Sequence, residues 1–171
     1  MTSRHLLTRI LCGAALALFL CSCGRDLPPE IGSMTPSNGR GRTQTFRFEA
    51  SYPGGAGDIS ALGFYFGESI ADSVHACWIT INGGVNNVAV RTNDDKNWQP
   101  GIPIGSSGTV SNDKCSVAAN QVKVERSGNQ IVATVPVVFT DVLKGDVKVS
   151  VIAVGPTKHS GWQDRGIWTV E

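Results

Sequence analysis

Cysteine is the residue type with the most chemical options in this chain. Cys12, Cys21 and Cys23 lie in or just after an apolar N-terminal run, whereas Cys77 and Cys115 stand well apart from them and from each other. Metal ligation, a redox pair, lipid attachment and a disulfide are the roles open to such residues. The segments that surround the cysteines decide between these roles.

The segment around the first cysteines is typical of an export signal. Arg4 and Arg9 precede "ILCGAALALFLC", an apolar run of 12 residues from Ile10 to Cys21. A charged start followed by about 7–15 apolar residues is the pattern of such signals. The run is shorter than the roughly 20 residues that cross a bilayer as a helix. We therefore expect residues 1–22 to be a signal peptide.

The end of that segment, "LCSCG" at residues 20–24, resembles the lipobox of bacterial lipoproteins. The resemblance implies cleavage after Ser22, lipid attachment to Cys23, and a short tether over residues 23–30. Several acyl chains hold a protein stably at a membrane, since each buried methylene contributes about 0.8 kcal/mol. Gly24, where inner-membrane lipoproteins often have Asp, favours the outer membrane in a cell that has one. The expected location is the cell envelope, with the membrane as a partner through the lipid anchor.

Export would leave Cys77 and Cys115 in a compartment where disulfides persist. The sequence predicts that these two cysteines form a disulfide, which would stabilise the fold by about 4 kcal/mol on the chain-entropy estimate. Two buried free thiols and a metal-binding pair are the alternatives. The chain after residue 23 has no C-x-x-C motif, and His75 and His159 show no ligand spacing with either cysteine.

Oxygen-rich and aromatic side chains supply the other candidates for binding. "RTNDDKNW" places Asp94 and Asp95 in one loop, a weak calcium candidate that lacks the distal bidentate Glu of an EF-hand. A solvated hairpin tip is the alternative interpretation of that loop. Trp78 and Trp98 are candidates for an aromatic platform that binds a glycan or another ligand. Packing within the fold is the alternative for both tryptophans.

The sequence lacks the common catalytic and cofactor motifs. It contains no G-x-S-x-G, no H-E-x-x-H and no P-loop. Its net charge of +1 comes without a basic block suited to nucleic acid. We therefore expect a protein that is not an enzyme, uses no cofactor and binds no nucleic acid. Another envelope protein or a glycan is the expected partner besides the membrane.

Alternation of apolar and polar residues predicts strands along the rest of the chain. In "TFRFEAS", for example, Phe46, Phe48 and Ala50 share one face. Pro136 lies within one predicted strand and indicates an edge or a bulge there. About eight strands without a convincing helix between them predict an all-β fold of two packed sheets. The predicted strands contain the segments TFRFEAS, ISALGFYFG, ACWITIN, VNNVAVRT, NQVKVER, QIVATVPVVFT, DVKVSVIAV and GIWTV.

The domain also resembles a family of exported bacterial β-sandwich domains over about residues 31–170. Its landmarks are an N-x-x-C, an S-G-N, a G-W and a G-x-W-T-V motif, at residues 112–115, 127–129, 161–162 and 166–170. The resemblance implies an immunoglobulin-like β-sandwich and carries no catalytic residues. Cys77 and Cys115 are both family landmarks, which supports their pairing. Trp162 and Trp168 are expected to be buried at one end of the sandwich.

Two hypotheses for function follow. In the first, residues 31–171 form a non-enzymatic β-sandwich that a lipid anchors at the cell envelope for structural or adhesive contacts. In the second, the lipoprotein binds a glycan or another ligand through an aromatic loop around Trp98. An exposed Trp98 beside a groove would favour the second hypothesis. A flat polar surface with all tryptophans buried would favour the first.

Overall fold

The computed structural model describes residues 27–171, which form two β-sheets packed face to face as a β-sandwich. Within this range there are four short 3-10 turns and no α-helix. No helix in the same range is long and apolar enough to cross a membrane. The predicted signal peptide, the predicted lipidation site Cys23 and the first part of the tether lie outside the described residues.

Thirteen strands build the two sheets. The six-stranded sheet has the order β1-β3-β11-β9-β8, with β10 also paired to β11: β1 (Glu30–Thr35), β3 (Thr43–Ser51), β8 (Thr109–Ser111), β9 (Cys115–Ala118), β10 (Lys123–Ser127) and β11 (Gln130–Phe139). The seven-stranded sheet has the order β2-β13-β12-β4-β5-β6-β7: β2 (Gly39–Arg40), β4 (Ala61–Gly67), β5 (Cys77–Asn82), β6 (Asn87–Val90), β7 (Ile102–Pro103), β12 (Gly145–Val154) and β13 (Gln163–Val170). The 3-10 turns are Ala56–Asp58, Ser73–His75, Ala119–Gln121 and Asp141–Leu143.

All eight predicted strands are present, and five further strands account for the larger number. The additional strands are β1, β2, β7, β8 and β9, and β7 contains only Ile102 and Pro103. Most of them are too short or too polar to show a clear period of two. They exist because neighbouring strands offer unpaired backbone groups that need hydrogen-bonding partners.

The core lies between the sheets and consists of the faces that the alternation predicts. Phe46 and Phe48 on β3 are fully buried, as are the core-facing residues of β4, β5, β11 and β12. The rings of Phe46 and Phe66 lie 4.8 Å apart, and Trp168 packs edge-on against Phe46 at 5.3 Å. Trp168 also donates from Nε1 to the backbone oxygen of Gly41 over 2.8 Å. The all-β sandwich is thereby confirmed.

Pro136 occupies a gap in the pairing of β11. On one side, β3 pairs with β11 from Gln130 to Val138, and the backbone N–H of Phe139 donates to the backbone oxygen of Arg42 on that same side. On the other side, β10 pairs up to Thr134 and β9 begins at Val138. Since successive N–H groups alternate in direction, the Pro136 nitrogen faces this gap, where no ladder bond is lost.

The described chain begins at one end of the sandwich and finishes at the other. Pro29 is buried beside Gly155, and β1 starts at Glu30, just before the predicted boundary at residue 31. The last strand finishes at Val170, which pairs with Gly145 at the opposite end. We call these the N-terminal end and the C-terminal end of the sandwich.

The predicted disulfide between Cys77 and Cys115 is confirmed, and the alternatives of free thiols and a metal pair are wrong. The bond joins β5 of one sheet to β9 of the other, with the two Cα atoms 5.6 Å apart and both residues fully buried. Asn112 shapes the turn before Cys115, because its Oδ1 accepts the backbone N–H groups of Lys114 and Cys115, each over 2.9 Å.

Candidate functional site

The outer face of the seven-stranded sheet carries a groove of about 460 Å³. Its floor consists of small side chains in adjacent strands, where Gly63 pairs with Thr80 and Thr80 with Ala89. These residues face outward because the flanking residues of each strand face the core. A Cβ atom on Gly63 would lie 2.6 Å from Ile152 Cγ2 and 3.1 Å from the Trp162 ring. The row of small residues therefore keeps the groove open.

Three tryptophans form the walls of this groove. Trp78 lies on β5, Trp98 lies in the loop between β6 and β7, and Trp162 comes just before β13. The ring centroids of Trp78 and Trp98 are 5.3 Å apart, and those of Trp78 and Trp162 are 5.5 Å apart. Both pairs pack edge to face, at 76° and 74°, which fixes the orientation of each ring. We call this site the three-tryptophan groove.

Tyr65 supports two walls of the groove from the neighbouring strand β4. Its buried ring packs edge-on against Trp78 at 6.2 Å and Trp162 at 5.9 Å. Its hydroxyl donates to the backbone oxygens of Ser69 and Asp72 in the loop before β5. Burial, together with nearby carboxylates, raises the pKa of Tyr65 to about 12. The phenol thus stays protonated and continues to donate to that loop.

Arg91 fixes Trp98 against Trp78. Its guanidinium carbon lies 5.2 Å from the centroid of Trp78 and 5.1 Å from that of Trp98, a cation–π distance for both rings. Arg91 Nε donates to Asp95 Oδ1 over 2.7 Å, and Arg91 Nη2 donates to the Asp95 backbone oxygen over 2.9 Å. Both side chains are about one-fifth exposed. The loop that carries Trp98 is therefore held to its own strand.

Asp95 also connects the loop that carries Trp98 to the segment before β5. Its carboxylate accepts a hydrogen bond from Ser73, in the 3-10 turn before β5. Burial by itself would raise the pKa of Asp95, but the hydrogen bonds from Ser73 and Arg91 and the charge of Arg91 outweigh burial and lower the pKa. The carboxylate is therefore ionised at neutral pH and compensates the charge of Arg91.

The two predicted calcium candidates already have hydrogen-bonding partners in the protein. Asp94 Oδ1 accepts from Thr92 Oγ1 over 2.6 Å and from the backbone N–H of Lys96 over 3.1 Å, and these bonds lower the pKa of Asp94. Asp95 is paired with Arg91. Residues 27–171 contain no group of three or more side chains suited to holding a metal ion. A calcium site at Asp94 and Asp95 stays a prediction.

Several polar groups of the groove have no partner within the described chain. The indole N–H groups of Trp78, Trp98 and Trp162 make no hydrogen bond within residues 27–171, unlike that of the core residue Trp168. Asn82, which lines the groove, donates from Nδ2 to Asn87 Oδ1 over 2.8 Å, and its own Oδ1 has no partner within residues 27–171. Gln99 and Thr80 add an amide and a hydroxyl. The groove thus combines apolar walls with open donors and acceptors.

A second, more polar groove of about 320 Å³ lies near the C-terminal end of the sandwich. Its lining includes His75, Asp72, Glu68 and Asp146. His75 Nδ1 lies 3.0 Å from Asp72 Oδ1, and both side chains are largely exposed. No hydrogen bond joins His75 to a hydroxyl or thiol within the described residues, so the pair lacks the nucleophile that a hydrolytic triad requires.

The sequence identified two walls of the groove and missed the third. The structure brings the candidates Trp78 and Trp98 together, and Trp98 is 38% exposed. Trp168 is buried as expected, but Trp162 lies on the outer sheet face instead of being buried at an end of the sandwich. The sequence gives one indication of the role of Tyr65: alternation along β4 predicts that this side chain faces outward, towards the walls of the groove.

No protein-family model matches this sequence, and no curated protein matches it significantly. The resemblance carried by the motifs between residues 112 and 170 therefore stays a prediction. The geometry of the groove is the observation that bears on function.

Proposed function

We propose that this chain is a lipid-anchored protein of the bacterial cell envelope whose β-sandwich binds a saccharide in the three-tryptophan groove. The single observation that carries the proposal is the grouping of Trp78, Trp98 and Trp162 outside the core, around a cavity of about 460 Å³. Small-molecule sites are typically concave, mostly apolar, about 300–1,000 Å³ in volume and equipped with a few polar groups. The groove has each of these properties.

The aromatic walls favour a sugar because a sugar ring has an apolar C–H face and a polar rim. Tryptophan offers a large flat apolar surface and one N–H donor, so one ring can both stack on a sugar and hydrogen-bond to it. The amides of Asn82 and Gln99 line the groove and can hydrogen-bond to hydroxyl groups of such a ligand. Non-enzymatic structural or adhesive contacts, the first hypothesis from the sequence, do not by themselves account for this groove.

The anchor part of the proposal is supported by the N-terminal pattern that leads to Cys23. Pro29, the buried residue at the N-terminal end of the sandwich, comes six positions after Cys23 in the sequence. An extended chain spans at most about 3.6 Å per residue, so an anchor at Cys23 would hold the domain within about 20 Å of the membrane. The groove would then sample glycans close to that membrane.

Saccharide binding is tested with the full chain, purified in a detergent whose head group is not a sugar. We expect soluble oligosaccharides to change the tryptophan fluorescence and to give a calorimetric binding isotherm. Trp98→Ala should weaken binding at least about tenfold, which corresponds to about 1.4 kcal/mol of lost contact. Val142→Ala, an exposed residue away from the groove, is the matched control and should bind normally. Absence of binding by a panel of neutral and acidic oligosaccharides contradicts the proposal.

The anchor is tested by Cys23→Ala expressed in a bacterium that processes lipoproteins. We expect the unmodified chain to fractionate with membranes and to incorporate labelled fatty acid, and the variant to lose both properties. Cys12→Ala is the control, since it removes a cysteine outside the lipobox and leaves the disulfide between Cys77 and Cys115 intact. A Cys23→Ala chain that stayed membrane-bound and lipid-labelled would contradict the anchor and leave the groove proposal intact.

A further inference from the structure

We infer that the three-tryptophan groove selects an uncharged saccharide, built from neutral hexose or N-acetylhexosamine units, over an acidic sugar or an acyl chain. The inference rests on the proposed function and specifies its ligand class. It depends on three observations: the charge of the lining, the compensation of the nearest cation, and the balance of open donors and acceptors.

The lining of the groove carries no charge. Within the described chain, all the residues that line it are aliphatic, aromatic, amide-bearing or hydroxyl-bearing, or are glycine. A carboxylate brought into a concave, partly apolar site loses hydration, and this loss is costly unless a cation pairs with it. The groove offers no such cation on its surface. Charge complementarity therefore favours a neutral ligand.

Arg91 is the cation in contact with the walls, and its charge is already paired with that of Asp95. Its guanidinium packs against the rings of Trp78 and Trp98 and forms two hydrogen bonds to Asp95. The Asp95 carboxylate balances its charge and is itself held by Ser73. Using Arg91 to bind an acidic sugar would require breaking this pair. Arg91 thus positions the aromatic walls and does not serve as an anion site.

The open polar groups of the groove match a ligand that both donates and accepts hydrogen bonds. Each of the three tryptophans in the lining carries an indole N–H donor with no partner within residues 27–171, Asn82 Oδ1 can accept, and Gln99 and Thr80 can do both. The hydroxyl and acetamido groups of a neutral sugar also donate and accept, so they can pair with both the donors and the acceptors of the groove. An acyl chain would leave without a partner every hydrogen-bond donor of the groove that it buries, and this weakens its binding.

The experiment compares three ligands on the full chain in the same detergent, at low salt and at high salt. The probes are N,N′-diacetylchitobiose, a galacturonic acid disaccharide and laurate. We expect the neutral disaccharide to bind at least about tenfold more tightly than the acidic one, a difference of about 1.4 kcal/mol. We also expect its affinity to be insensitive to salt, because no ion pair forms.

A variant with an added charge tests whether the uncharged lining causes the selectivity. Gln99→Lys places a cation at the rim of the groove, and we expect it to raise the affinity for the acidic disaccharide in a salt-dependent way. Gln130→Lys adds the same charge at an exposed position on the other sheet and should leave the selectivity unchanged.

The possible outcomes separate the inference from the proposed function. Tighter, salt-dependent binding of the acidic disaccharide by the unmodified chain overturns the inference and leaves saccharide binding standing. Binding of laurate with no saccharide bound overturns both, as does the absence of any binding. A gain of acidic-sugar affinity in Gln130→Lys equal to that in Gln99→Lys also overturns the inference, since the groove would not be the selective element.

Discussion

Asn112 donates from Nδ2 to the backbone oxygen of Arg91 over 3.1 Å, which ties the turn before the disulfide to the strand that carries the groove. The same Nδ2 lies 3.3 Å from the backbone oxygen of Ala76, next to Cys77. With Oδ1 bonded to the backbone of Cys115, one amide joins three segments of both sheets. The disulfide and the wall of the groove thus share one support.

We predict that Asn112→Ala lowers the free energy of unfolding by about 1–3 kcal/mol, because it leaves partly buried backbone groups without partners. Chemical denaturation in urea measures this change. Asn120→Ala, at an exposed position in a 3-10 turn, is the control and should change stability by no more than about 0.5 kcal/mol. Equal stability of the two variants would show that the amide does not connect the sheets.

The disulfide gives a second prediction. Replacing both Cys77 and Cys115 by Ala should lower the free energy of unfolding by about 4 kcal/mol, since the bond closes a loop with a sequence separation of 38 in the unfolded chain. The measurement is urea denaturation with and without reductant. Reductant should destabilise the unmodified chain and have no effect on the double variant. Titration of two free thiols in the native protein would contradict the pairing.

The Arg91–Asp95 pair should stop stabilising the groove at low pH, when Asp95 becomes protonated. The folded state lowers the pKa of Asp95, so the pair contributes stability above the unfolded pKa of about 3.9 and loses it as the pH falls through the lower folded value. Tryptophan fluorescence should be constant from pH 7 to about pH 4 and change below that. Asp95→Asn should remove this acid transition and, at neutral pH, be less stable by about 1 kcal/mol. An unchanged transition in Asp95→Asn would assign it to another group.

The stability that the Tyr65 hydroxyl contributes should be lost at high pH, when the phenol becomes ionised. Since the folded state raises its pKa to about 12, the stability it contributes is complete below the unfolded value of about 10 and is lost as the pH rises from 10 to 12. Tyr65→Phe should be less stable at neutral pH by about 1 kcal/mol, because the bonds to Ser69 and Asp72 are lost. The same variant should show a flatter decline at high pH. Urea denaturation across this pH range tests both parts.

The core could be predicted from the sequence because the core-facing residues of each long strand recur at every second position. A period of two then marks the buried side directly, as in the fully buried Phe64 and Phe66 of β4 and Ile131 and Val135 of β11. The disulfide followed from counting cysteines once three had been assigned to the N-terminal segment. Short strands such as β7 were missed because two residues cannot show a period.

The groove could be predicted only in part, because it depends on register and on loops. Trp78 is outward-facing by alternation, but only the pairing of β4, β5 and β6 places Gly63, Thr80 and Ala89 side by side. Trp98 and Trp162 lie in connections where no period applies. The pairing of Arg91 with Asp95 requires a positive φ of 56° at Asp95, a backbone state that the sequence does not reveal.

Residues 29 and 171 lie at opposite ends of the sandwich, and this placement determines how the domain responds to tension between them. A force that pulls residue 29 away from residue 171 runs along the strands, since β1 begins at the N-terminal end and β13 finishes at the C-terminal end. Interstrand hydrogen bonds lie perpendicular to that direction, so those of β1 with β3 and of β13 with β12 are strained together, in shear. We expect a domain loaded in this way to resist tension as a unit, because the hydrogen bonds of each strand pair are loaded together and not one after another.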